Sequence, residues 1–218
     1  MSLVIGIDGP AGSGKGTITK LVAEKLDIVN IDTGAMYRSV ALATLRAGIP
    51  LDDEEKIIAL AKKIKIEFDT NGHTYLNKED VSEEIRKKEV SDIVSIISKI
   101  VEVRKEMVRQ QRKLAEGLDV IMEGRDITTE VFPNADYKFY LDASVEERAQ
   151  RRLKQNKEKN IDMSYEEILE SIKTRDYNDT HKDYGALKRT DEQIYIDSTN
   201  LSIEEVAEII INKIKESK

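Results

Sequence analysis

The sequence predicts an α/β fold: an open parallel sheet with helices on both faces. Three observations carry this reading. Short apolar runs rich in β-branched residues alternate with segments whose apolar residues recur at helical spacing. A glycine-rich loop stands between the first such run and the first helical segment. One turn signal, Asn71-Gly72 between alternating stretches, breaks the βα rhythm and marks an antiparallel insert. Alternation of this kind buries both faces of a parallel sheet, and such sheets take ligands outside the carboxyl ends of their strands.

The first strand is expected over residues 3–7, ending abruptly in Asp8-Gly9-Pro10. A helix opens at Lys15, because Ile18, Leu21, Val22 and Leu26 share one face. Residues 28–31 read as a second strand, and 36–45 and 54–64 as helices. Across 65–77, Ile66 and Phe68 alternate, the Asn71-Gly72 turn follows, and Tyr75 and Leu76 return; Val81 adds a third short strand. Residues 84–116 form a long helical region broken near Ile100. Strands follow at 120–122 and 137–141. Ser144 with Glu147, and Ser202 with Glu205, have the spacing of capping boxes and open two further helices. Residues 161–179 are helical, and 194–196 supply the last strand.

Composition narrows the chemistry. The 218 residues contain no cysteine, which excludes disulfides, thiolate zinc sites and a cysteine nucleophile. His73 and His181 lie far apart in sequence, without metal-ligand spacing or the makings of a Ser-His-Asp triad. The net charge of −7 has the wrong sign for a general binder of nucleic acid or anionic membrane. No apolar run approaches the roughly 20 residues of a membrane span, and the N-terminus lacks the pattern of a signal peptide. A cytoplasmic protein is expected.

Gly9, Pro10, Ala11, Gly12, Ser13, Gly14, Lys15, Gly16 and Thr17 form the strongest motif, G-x-x-x-x-G-K with Thr one place later than usual. Glycines let backbone N–H groups curl around phosphate oxygens, the following helix offers its N-terminus, and Lys15 reaches the β- and γ-phosphates. A nucleoside triphosphate, with Mg²⁺, is the expected ligand. We read the chain as lacking the Asn-Lys-x-Asp segment with which GTP switches recognise their base. Next, Asp32-Thr33-Gly34-Ala35-Met36-Tyr37-Arg38 opens a helix, with Thr33 as its expected cap and Arg38 one turn in, able to fork a phosphate.

These two motifs, with Gly124-Arg125-Asp126, the Arg148, Arg151 and Arg152 cluster, Arg175-Asp176-x-x-Asp179, and the segment from Glu79 to Ser91, resemble bacterial cytidylate kinases nearly end to end. The resemblance implies the nucleoside monophosphate kinase fold of phosphate-loop proteins. This has a parallel five-stranded core, a small antiparallel insert in the monophosphate-binding part (residues 36–99) and a short lid (148–165), within one kinase domain over 1–218. It places cytosine against Ser95, Arg104 and Asp126, the α-phosphate end of CMP against Thr33, Arg38 and Arg125, and the ribose against Arg175 and Asp179. Lys182 stands where the family usually has arginine, and Asn178 replaces a charged residue. Glu123 stands where Asp is more frequent, and with Thr17 it is a candidate to meet Mg²⁺ through water.

The residue chemistry agrees with this placement. Cytosine presents an N4 amino donor, which the Asp126 carboxylate accepts, whereas uracil presents an acceptor there. The activity implied is phosphoryl transfer from ATP to CMP, and to dCMP, by a monomer, with Lys15, Arg125, Arg148 and Arg152 as catalytic residues. Two alternatives stay open at this point. One is a kinase of the same fold acting on UMP, AMP or a hydroxyl acceptor; the other is a nucleotide-binding regulator that hydrolyses ATP slowly.

Overall fold

Five parallel strands make the central sheet of the computed structural model, which describes residues 2–69, 72–158 and 161–216. They are β1 (Val4–Asp8), β2 (Val29–Asp32), β6 (Val120–Gly124), β7 (Tyr137–Asp142) and β8 (Ile194–Asp197), in the order β2-β6-β1-β7-β8. Pairing registers Asp8 with Gly124 and Tyr140, and Asp32 with Glu123. The charged residues that end these strands therefore lie in one row.

Side chains alternate across the sheet as the two-residue strand period demands. Ile5, Ile7, Ile121, Phe139, Leu141 and Ile196 pack with Ile18 and Val22 of α1 (Lys15–Leu26) and with Val206 and Ile210 of α8 (Ile203–Glu216). On the other face, Ile31, Val120 and Met122 meet Val108 of α5 (Val101–Leu114) and Ile127 and Val131. Ile127–Val131 is a wide turn in which Val131 and Phe132 donate to carbonyls five residues back, at 3.1 and 2.7 Å.

The insert builds a hydrophobic cluster of its own. α2 (Thr33–Arg46), α3 (Glu54–Lys63) and α4 (Lys88–Ile97) bury Met36, Val40, Ile57, Val90 and Ile97 against Ile66 and Leu76 of a three-stranded antiparallel sheet. That sheet consists of β3 (Ile66–Phe68), β4 (Thr74–Leu76) and β5 (Glu79–Asp80). The expected hairpin at 65–77 forms, with Gly72 left-handed at φ 83°; Asn71 lies outside the described residues. The third strand ends just before Val81, whose N–H extends the ladder to the Thr74 carbonyl at 2.9 Å.

The letters Asn-Lys-x-Asp do occur, at Asn77-Lys78-Glu79-Asp80, which corrects the reading above. Here they make the β4–β5 hairpin: Asn77 and Lys78 both have positive φ, 51° and 74°, as a two-residue turn of this hand requires. Asn77 also accepts the Lys65 N–H through its side chain at 2.9 Å. The segment is a turn built into the insert.

α6 (Val145–Glu158) and α7 (Tyr165–Thr180) follow β7 and pack on each other through Ala149, Ile168 and Ile172. Residues 159 and 160 of the expected lid lie outside the described residues. The Ser202 and Glu205 box forms in full, at 2.8 and 3.2 Å. The Ser144 box forms by half. Ser144 accepts the Glu147 N–H at 3.2 Å, but the Glu147 carboxylate turns to Arg151, and the Ser144 N–H donates to Thr199 instead. A full box caps α7 through Ser164 and Glu167, so that helix starts later than residue 161.

Gly9 shows how tightly the phosphate loop is set against the sheet. Its φ is 155°, and a Cβ there would sit 2.0 Å from the Leu141 carbonyl oxygen. Backbone cannot retreat as a side chain tip can. Gly9→Ala is expected to cost about 3 kcal/mol, on the order of 10 °C in Tm; an unchanged thermal unfolding curve would show that the loop has room.

Candidate active site

The loop from Gly9 to Gly14 closes on its own lysine. Lys15, 4% exposed, donates to the carbonyls of Gly9 and Pro10, both at 2.8 Å, and to Ser13 Oγ at 3.3 Å. Burial pulls its pKa down and nearby Arg125 adds to this, while Glu123, Asp8 and Asp179 oppose. Two arginines of α6 brace the loop from outside. Arg148 donates to the Ala11 and Ala143 carbonyls, both at 3.0 Å, and forks Asp176 at 3.0 and 2.6 Å. Arg151 reaches the Ser13 carbonyl at 3.3 Å and the Ser198 carbonyl at 2.6 Å. Arg152, from the same helix, is exposed and has no hydrogen bond or ion pair among the described residues.

At the start of α2 the expected cap is corrected. Asp32, not Thr33, occupies the capping position, accepting the Ala35 N–H at 2.9 Å while its other oxygen pairs with Arg38 at 2.8 Å. A carboxylate outcompetes a hydroxyl here because it serves the helix terminus and the guanidinium together. Thr33 is the first helical residue, and its hydroxyl donates to the Glu123 carbonyl at 2.7 Å, tying α2 to the end of β6. The Glu123 carboxylate stands over Gly16, where a Cβ would approach its Oε1 to 3.0 Å. Burial, then the Asp32 charge, push its pKa up, and Lys15 opposes. Thr17 is exposed at the head of α1.

The Arg104 and Asp126 side chains form a buried ion pair, 3% and 7% exposed. Arg104 also donates to the carbonyls of Ser98 and Gly185, both at 3.2 Å, and lies 5.3 Å above the Tyr37 ring. Its Nε has no hydrogen-bond partner among the described residues. Gly185, at φ 65°, closes the pair from the far side: a Cβ there would come within 2.2 Å of Arg104 and 2.3 Å of Asp126. Ser95 is not part of this contact. It is exposed on α4 and touches the group only through its carbonyl, which accepts the Ser98 hydroxyl at 3.2 Å.

Asp179 stands between two cations, Arg125 at 2.7 Å and Lys182 at 2.9 Å. Burial resists its ionisation, but Arg125 and Lys182 outweigh that and hold its carboxyl well below the usual range. Arg175, on the same helix, has no hydrogen bond or ion pair among the described residues. Its side chain is open at the cleft mouth, yet the surrounding protein mass and the charges of Arg125, Arg38 and Arg152 lower its pKa to about 10. Asn178 accepts from Lys99 at 3.3 Å, bridging α7 to the insert. The carboxyl ends of the strands thus gather Lys15, Arg38, Arg125, Arg152 and Arg175 around one cleft.

The family model for cytidylate kinase matches residues 5–216. The chain belongs to the cytidylate kinase family. It is 48% identical over 217 residues to a cytidylate kinase of Caldanaerobacter subterraneus subsp. tengcongensis, covering 100% of this chain and 96% of that one. A Bacillus subtilis cytidylate kinase is 45% identical over 217 residues, covering 98% and 97%. Membership makes the chain an enzyme of the phosphotransferase class. Among solved structures, a sugar kinase from a Janibacter species superposes with TM-score 0.52 at 16% identity, covering 99% of this chain and 95% of that one. A shikimate kinase from Bacteroides thetaiotaomicron gives 0.51 at 13%, covering 98% of each. These two share the fold of this cytidylate kinase family member.

Sequence reading missed Asp8, Gly185 and Gln193, whose partners lie far away along the chain, and the Ser98 carbonyl, six residues from Arg104; it named Asp176 within a motif but not its pairing with Arg148. Asp8 had the plainest signal, as an acid ending a buried apolar run.

Because Asp179 has a lowered pKa in the folded chain, its ion pairs stabilise the fold above its ordinary pKa of 3.8 and lose that effect as pH falls below it. Asp179→Asn is expected to cost about 3 kcal/mol near neutral pH. Urea unfolding should show the gap to the parent chain closing below about pH 4. A gap independent of pH would mean that the carboxylate charge contributes nothing.

Proposed function

We propose that the chain transfers the γ-phosphoryl group of ATP directly to CMP, giving ADP and CDP, with dCMP as a second acceptor. Phosphorylation of CMP is the activity that names the family and the relatives. The observation that carries the residue assignment is the cleft of cations at the strand ends, two of which, Arg152 and Arg175, lack a protein acceptor among the described residues.

In this mechanism an α-phosphate oxygen of CMP attacks the γ-phosphorus in line, the P–O bond to the β-phosphate breaks, and ADP leaves with the electron pair. The nucleophile is already anionic, so no general base is needed. Catalysis rests on alignment and on neutralising charge. The loop from Gly9 to Thr17 holds ATP, and Lys15 exchanges loop carbonyls for phosphate oxygens. Thr33, Arg38 and Arg125 take the CMP phosphate, with Arg38 leaving Asp32. Arg175, Asp179 and Lys182 take the ribose. Arg148 and Arg152 meet the transferring group as the lid over 148–165 closes, which also keeps water from accepting it.

Arg104 and Asp126 read cytosine, and Ser95 joins them when the insert closes. No group of three His, Asp or Glu side chains among the described residues is placed to hold a metal ion. The oxygen donors present, Glu123 with Thr17, suit Mg²⁺ carried in by ATP and met through water. When bound, Mg²⁺ neutralises charge on the β- and γ-phosphates. No described helix is long and apolar enough to cross a membrane. The net charge of −7 argues against a nucleic-acid partner, and the family resemblance suggests a monomer acting on free nucleotides in the cytoplasm.

A coupled ADP-release assay with CMP, dCMP, UMP, AMP and no acceptor tests the reading. Fast release with CMP and dCMP, slow with UMP and almost none without acceptor is expected. Equal release across the panel would remove the acceptor assignment. Lys15→Ala is expected to lower kcat by about 10²–10³-fold in a folded protein; an unchanged kcat would take Lys15 out of the mechanism. Asp126→Ala should reduce kcat/KM about 10–100-fold more for CMP than for UMP, and equal losses would defeat the N4 reading.

A further inference from the structure

The turn Ile127–Val131 is capped from another strand. Its preceding residue, Asp126, occupies the capping position, at φ −144° and ψ 26°, and is of a type favoured there, yet its side chain makes no cap hydrogen bond. The N–H groups it would serve are taken by Asp8. Asp8 is fully buried at the end of β1, 119 residues from Ile127, and accepts Ile127 N–H at 2.7 Å and Thr128 N–H at 2.9 Å. It also accepts the Thr128 hydroxyl at 2.6 Å, and the Gln193 amide holds that hydroxyl from behind at 2.6 Å.

We propose that Asp8 is a positioning residue for acceptor recognition: by capping the turn in place of Asp126, it frees the Asp126 carboxylate to pair with Arg104 and face the base. A buried N–H left without an acceptor costs about 1–3 kcal/mol. Without Asp8, the nearest carboxylate able to relieve that cost is Asp126 itself, one rotation about its side chain away. Turning to the Thr128 N–H takes it off Arg104, so capping and recognition compete for one carboxylate. Because Asp8 directly precedes Gly9, the same residue fixes the acceptor turn to the root of the ATP loop. The inference about recognition rests on the reading of Asp126 above; the capping exchange does not.

The test is Asp8→Asn, which keeps the shape but turns one acceptor into a donor. The ratio of kcat/KM for CMP to that for UMP should fall about 10-fold or more, toward that of Asp126→Ala. The KM for ATP should stay within about twofold, and Asp8→Asn combined with Asp126→Ala should lower the ratio no further than Asp126→Ala alone. A crystal structure of the Asp8→Asn protein should place an Asp126 oxygen at hydrogen-bonding distance from the Thr128 nitrogen. A lowered Tm with the ratio retained, or equal rises in KM for ATP and CMP, would overturn the proposal.

So would Asp126 still seated on Arg104 in that crystal. If Asp126→Ala leaves the ratio unchanged, the base reading fails, and the crystal alone decides the capping exchange. If Asp8→Asn does not fold, Thr128→Val removes the hydroxyl donor without cutting the backbone. It should lower the ratio by a smaller factor, and an unchanged ratio would again overturn the proposal.

Discussion

Holding several cations close together in a half-buried cleft requires carboxylates or carbonyls to balance them, since a buried charge without a partner costs several kcal/mol. Arg38 rests on Asp32, Arg104 on Asp126, Arg125 and Lys182 on Asp179, and Arg148 on Asp176. In the proposed reaction a phosphate oxygen would take the place of Asp32 on Arg38. The acidic character of the chain as a whole is thus compatible with a site for polyanions.

The sheet makes this arrangement possible. Parallel strands end at one edge, and their register brings Asp8, Glu123, Gly124 and Asp32 level with one another. The phosphate loop leaves β1 at the centre of that edge, with the Leu141 carbonyl so near that only glycine fits at position 9. Helices α6 and α7 then reach over from one side and the insert from the other. Lys99 with Asn178 joins the insert to α7, and Arg104 of α5 donates to the Gly185 carbonyl in the segment that follows α7.

Local signals in the sequence were strong where one residue's neighbours along the chain decide its conformation. The helix at Lys15, the break at Ile100, the Ser202 cap and the strand runs all depend on spacing or on turn chemistry. Such signals failed where competition between nearby groups decides. Asp32 displaced Thr33 as a cap because Arg38 reinforces it, and Glu147 left its box for Arg151. Asn77-Lys78-Glu79-Asp80 carries the spelling of a base-reading loop, but positive φ at two successive residues makes it a hairpin turn.

By itself, the sequence determined the α/β alternation, the phosphate loop, the family, and the identities of the charged residues around the cleft. These follow from periodicity, glycine placement and motif spelling, which are properties of contiguous residues. Only the tertiary structure decided which charge meets which. Arg104 joins Asp126 across 22 residues, Arg125 joins Asp179 across 54, and Asp8 caps a turn 119 residues away. Those pairings are set by strand register and by the cost of leaving a buried polar group unmet, and neither is written in any local stretch of the chain.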